Sequence, residues 1–134
     1  MTREDMQIMT ARGIRGATSV EENTRQSILS NTRELLSHMM QANGFNVEDL
    51  VCAFFTTTQD LNADFPAAGS RELGWTDIAL LCGHEMDVPG SLQGVLRVMI
   101  IVNTDKSAKE ITHVYLKEAR RLRPDHKGAT DTVQ

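Results

Sequence analysis

Only one segment of this chain carries the apolar spacing of a long helix. Between Asn23 and Gly44, the residues Ile28, Thr32, Leu35, Leu36 and Met39 recur at i, i+4, i+7, i+8 and i+11, on one helical face. Asn23 is the expected cap, with Gln26 as its capping-box partner, and Gly44 supplies the left-handed residue that helix ends favour. The other strongly apolar segments read as strands: Arg12–Val20, Val51–Thr58, Asp77–His84, Gly94–Asn103 and Ile111–Leu116. Val51–Thr58 is expected to be buried. Short helical pieces are expected at Asn46–Leu50, Pro66–Leu73, Lys106–Glu110 and Glu118–Leu122, with a turn over Met86–Ser91. The expected class is α+β: a mixed sheet of about five strands, one long helix and several short ones. One amphipathic helix covers one face of such a sheet. The other face needs a second cover, and self-association supplies one.

The length of 134 residues predicts a single domain, with 40% hydrophobic and 24% charged residues sufficient for a core without disulfide staples. Residues 1–10 and 126–134 are polar and are expected to form a flexible arm and tail. The N-terminus has no apolar signal core, and the run Val98–Val102 is far short of the ~20 residues that span a bilayer. The expectation is a cytoplasmic protein without a membrane partner. Cys52 and Cys82 are thirty residues apart with no CxxC, and the four histidines show no metal-binding spacing. No metal and no cofactor is expected, since GxGxxG and GxxxxGK are also absent.

The net charge of −4 argues against nucleic acid as a partner. Of the 14 cations, however, ten are arginines, whose planar forks grip carboxylates and phosphates two bonds at a time. Arg97 is the most informative, because it interrupts the apolar run Val95–Val102. A charge there must be paired or face a polar cavity. It is either half of a structural ion pair, with Glu85 or Glu72, or a cation aimed at a bound anion. Arg15 sits in a Gly-flanked strand, Tyr115 is the only tyrosine, and Arg123 precedes Pro124. No serine or cysteine has a recognised nucleophile context. Several arginines with one Tyr and one Glu suit the binding of a small polyanion. An enzyme of this kind works by positioning and electrostatics rather than proton transfer.

Five blocks, RGIRGATSVEENT (12–24), DLNADFPAAGSRELGW (60–75), CGHEMDVPGSL (82–92), LRVMIIVNTD (96–105) and HVYLKEARRLRPD (113–125), make the chain resemble the AroH-type monofunctional chorismate mutases. They run in the family's order and are spread over the chain from Arg12 to Asp125. The resemblance implies a homotrimer, a pseudo-barrel of α+β subunits with active sites between neighbours. It implies conversion of chorismate to prephenate on the route to phenylalanine and tyrosine, with no cofactor.

Residue by residue, the resemblance implies that Arg15 binds a substrate carboxylate and that Leu80, Leu81 and Cys82 line the pocket. It implies that Glu85 accepts from the substrate's ring hydroxyl and that Arg97 faces the ether oxygen of the breaking bond. It further implies that Tyr115 is a carboxylate-binding phenol, that Leu122 and Arg123 close the pocket, that Phe65, Ala67 and Arg71 come from the adjacent subunit, and that the catalytic set is Arg97, Glu85 and Arg15. The chain departs from some members in having Ala68 in place of a lysine, one residue fewer before Trp75, and a longer N-terminal arm. The bare α+β pattern also suits a non-catalytic trimeric module for small anions, or a trimeric deaminase-like hydrolase with an interface arginine. Neither needs Arg15, Glu85, Arg97 and Tyr115 as a set.

Overall fold

The structure, a computed structural model, describes residues 9–123. Five strands, β1 (Thr10–Ser19), β2 (Leu50–Thr57), β3 (Ala79–His84), β4 (Val95–Thr104) and β5 (Val114–Tyr115), form one sheet in the order β3-β2-β4-β1-β5. Central β4 pairs antiparallel with both β1 and β2. The edges are parallel pairs, β3 with β2 and β5 with β1. The sheet is therefore mixed, as expected. Among the described residues no helix is long and apolar enough to cross a membrane.

The long helix α1 (Arg25–Asn43) covers one face. Its buried stripe includes Ile28, Leu35, Leu36 and Met39, packed on inward residues of the strands such as Ile14, Phe55, Leu96 and Ile100. Gly44 ends it at φ 66°. The cap differs from expectation. Thr24, not Asn23, holds the extended cap position and accepts from the Ser27 N–H at 3.1 Å. Asn23 instead accepts from the backbone N–H groups of Asn62 and Ala63, both at 2.9 Å, and so ties the loop before the short helix α2 (Ala67–Arg71) to the start of α1. Ion pairs Arg25–Asp64 (3.0 Å) and Arg33–Glu72 complete that attachment.

Three further expectations need correction. Segment 51–58 is not buried throughout: Ala53, Phe55 and Thr57 face the core, while Val51 and Phe54 are exposed. A strand covered on one face must alternate in this way. The strand expected over Ile111–Leu116 shrinks to two residues, because Asn43 at the end of α1 takes the Thr112 backbone for itself. The Asn43 amide donates to the Thr112 carbonyl, and the Thr112 N–H donates to Asn43 Oδ1, each at 2.8 Å. The arm expected over 1–10 ends sooner, since Thr10 already pairs with Thr104. Residues 1–8 of that arm, and the tail 126–134, lie outside the described residues.

Candidate active site

Strand alternation sorts β4 into two sets. Leu96, Val98, Ile100 and Val102 point into the core, and Arg97, Met99 and Ile101 lie on the opposite face. Arg97 therefore interrupts the run in sequence without interrupting the core. It is a half-exposed guanidinium, its side chain 48% accessible, rather than a buried charge. The ladder places it beside Thr56 of β2 and Ala17 of β1. One residue past β3, the Glu85 N–H donates to the Thr57 carbonyl at 2.8 Å, which extends the pairing and brings the carboxylate alongside Thr56. Glu85 Oε2 then accepts from the Thr56 hydroxyl and lies 3.3 Å from Arg97 Nε. Of the two partners considered for Arg97, Glu85 is the one found; Glu72 pairs with Arg33.

On the other side of β4, Arg15 lies two residues before Ala17 on the same face of β1. Its backbone N–H donates to His113 Nδ1 at 2.9 Å, which fixes that edge of the ladder. Tyr115 pairs with Ala17 and is buried in a small cluster with Ala17, Ala119 and Leu122. A 3₁₀ turn, Lys117–Leu122, brings Leu122 and Arg123 over this surface. The result is an open cleft of about 310 Å³ bounded by Arg15, Glu85, Arg97, Tyr115, Leu122 and Arg123. Three guanidiniums face one carboxylate, a formal excess of two positive charges. A net-acidic chain thus carries a cationic cleft, suited to a dianion.

Six of the expected residues are gathered here and six are not. Leu80 and Cys82 pair with Ala53 and Phe55 and share their inward face, so both side chains turn away from the cleft. Cys82 borders a second cavity, of about 340 Å³, with Phe65, Pro66 and His84. Leu81 shares the cleft-bearing face but stands outside the cleft, 63% exposed. Ala67 is buried in the core, Phe65 is 69% exposed, and neither they nor Arg71 reach the cleft of their own chain. Thr56, Phe54 and Met99 line the cleft and were not singled out from the sequence. The signal was there: Thr56 is an outward position of a half-buried strand. Only the β2–β4 register reveals that it faces Arg97. Among the described residues no group of three His, Cys, Asp or Glu is placed to hold a metal ion.

Comparison with known proteins identifies the family. The family model for type I chorismate mutase matches residues 11–126. Chorismate mutase AroH from Thermus thermophilus is 49% identical over 119 residues, covering 88% of this chain and 98% of the relative. Its counterpart from Bacillus subtilis is 46% identical over 118 residues, covering 87% and 93%. The solved chorismate mutase from Clostridium thermocellum superposes with a TM-score of 0.81 at 49% identity, covering 82% of this chain and 98% of that one. With the family model, the identities and the fold in agreement over nearly the full length of these relatives, the chain belongs to the type I, AroH-type chorismate mutases.

Proposed function

We propose that the cleft holding Arg97 converts chorismate to prephenate, an isomerisation on the route to phenylalanine and tyrosine, without covalent or acid–base catalysis. Chorismate is a dicarboxylate that rearranges through a cyclic, chair-like transition state. The C–O bond breaks ahead of C–C bond formation, so negative charge grows on the ether oxygen. A guanidinium fixed at that oxygen binds the transition state more tightly than the substrate. Arg97 has that role. Its Nε is engaged by Glu85, which sets the plane of the fork and directs the terminal nitrogens to the substrate. Glu85 is itself held by Thr56 through Oε2, and its other oxygen accepts from the ring hydroxyl. Arg15, Tyr115 and Arg123 hold the carboxylates and fold the side chain over the ring. Leu122 closes the apolar wall.

The working unit in this reading is a cytoplasmic homotrimer. The exposed apolar side chains Phe54, Leu81 and Met99 on the sheet face without a helix support it. So does the second cavity with Phe65 and Cys82, in this reading a half-site that meets the cleft of a neighbouring copy; Leu80, Ala67 and Arg71 belong to the same neighbouring contribution. The observation that carries the proposal is the Thr56–Glu85–Arg97 constellation in a cleft with two excess positive charges. Loss of chorismate absorbance with appearance of prephenate tests it. Binding of chorismate without turnover would instead indicate an anion-binding module.

A further inference from the structure

Lys117 is the only non-glycine residue with positive φ among the described residues, at 54°. A side chain in that region crowds the backbone, so the conformation persists only where its surroundings impose it. Both ends of Lys117 are held. Its ammonium donates to Asn31 Oδ1 at 2.6 Å and lies 3.2 Å from Glu34 Oε1. Asn31 and Glu34 are one turn apart on α1 and form one seat. Oε1 of Glu34 is buried and makes no hydrogen bond among the described residues, so the ammonium is the charge that compensates it. The Lys117 carbonyl accepts from Arg120 Nε at 3.2 Å. On either side, the Leu116 N–H donates to the Ala17 carbonyl at 2.9 Å and the Glu118 N–H to Ser19 Oγ at 3.3 Å.

The location gives this clamp a consequence. β5 ends at Tyr115 on the sheet edge, α1 covers one face, and the cleft opens on the other. Lys117 begins the turn that carries Leu122 and Arg123 to the cleft, while its side chain is fastened to the helix on the opposite face. We propose that Lys117 is a positioning residue: its left-handed backbone and its clamp on Asn31 and Glu34 set the direction in which the 117–122 turn presents Arg123 and Leu122 to the substrate. The proposal rests on the reading of the cleft as the chorismate site.

The test compares Lys117→Met, Lys117→Arg and Glu34→Gln in the full chain. Lys117→Met should raise KM for chorismate about fivefold or more, with kcat within about twofold of the parent. Lys117→Arg should restore most of the loss. In an Arg123→Ala background, Lys117→Met should add less than about twofold, because the group it positions is already gone. Amide exchange over 116–123 should accelerate in Lys117→Met while β4 is unchanged. A lowered Tm with parental KM, or a loss that multiplies with that of Arg123→Ala, overturns the proposal. If Lys117→Met does not fold, Glu34→Gln is read by the same criteria. If the parent chain does not turn over chorismate, the functional reading fails instead. Exchange over 116–123 then decides for Lys117, and unchanged exchange overturns its role.

Discussion

Arg97 and Glu85 show how single residues acquire roles from strand phase. Arg97 is outward on β4 and Glu85 continues the outward set of β3, so the two meet across Thr56. Replacing Arg97 by Ala removes a preorganised cation at the developing charge and should lower kcat by at least about 10²–10³-fold. Lys at 97 should lose most activity too, since a flexible point charge replaces a fork oriented by Glu85. Chorismate turnover by each purified variant checks both. Glu85→Gln keeps one acceptor oxygen and should retain measurable activity, reduced by about 10–100-fold in kcat/KM. Complete loss with intact prephenate binding would point to proton transfer instead. The sequence marked Arg97 correctly as a charge needing a partner, and it named Glu85 as one of two candidates. The sequence grouped Leu80, Leu81 and Cys82 on one pocket, whereas the two-residue period of the strand turns Leu80 and Cys82 to the face opposite the Arg97 cleft of their own chain.

At the scale of elements, two tight junctions hold the cleft's framework. Asp60 Oδ1 accepts from the Gly94 N–H at 3.3 Å, at the turn leading into β4. Burial raises the Asp60 pKa, but hydrogen bonds from Thr58, Gly94 and its own backbone outweigh it, and the net value lies below the ordinary one. The folded chain therefore holds this proton less tightly than the unfolded chain. The stabilisation is complete above the unfolded carboxyl value of about 4 and disappears as pH falls through the lowered folded value. Asp60→Asn should lower Tm near neutral pH, with the gap narrowing in acid, as a pH series of thermal melts will read. The second junction is the crossing of α1 and α2, where a Cβ on Gly69 would come within 2.9 Å of the Leu29 carbonyl oxygen. That backbone cannot yield cheaply, so Gly69→Ala should cost about 1–3 kcal/mol in denaturant unfolding. Element types and order were legible from periodicity. The Asn23 cap and the long fifth strand were not, because each depended on a distant competitor: the loop at Asn62 for the first, Asn43 for the second.

For the whole molecule, the decisive asymmetry is a sheet with a helix on one face only. The other face exposes Leu81 together with Phe54 and Met99 of the cationic cleft, and the second cavity carries two of the remaining expected site residues, Phe65 and Cys82. Sedimentation of the parent chain should give a trimer at working concentration. Leu81→Glu places a charge on that apolar face and should shift the population to smaller species. Activity should fall in step, because Phe65, Arg71 and Cys82 do not reach the Arg97 cleft within one chain. A monomeric parent with full activity would refute the shared site.

What the sequence determined by itself was local: which segments are helix or strand, where α1 ends, which residues carry charge in an apolar run, and which family the ordered blocks resemble. These follow from periodicity and from backbone preferences acting over a few residues. What only the tertiary structure decided was non-local. The register of β2 against β4 set Thr56 beside Arg97, the phase of β3 sent Glu85 to the cleft and Cys82 away from it, and the turn that begins at Lys117 leads Arg123 to the cleft that Arg15 also lines. Those meetings depend on pairings between segments tens of residues apart, and the spacing within any one segment carries no trace of them.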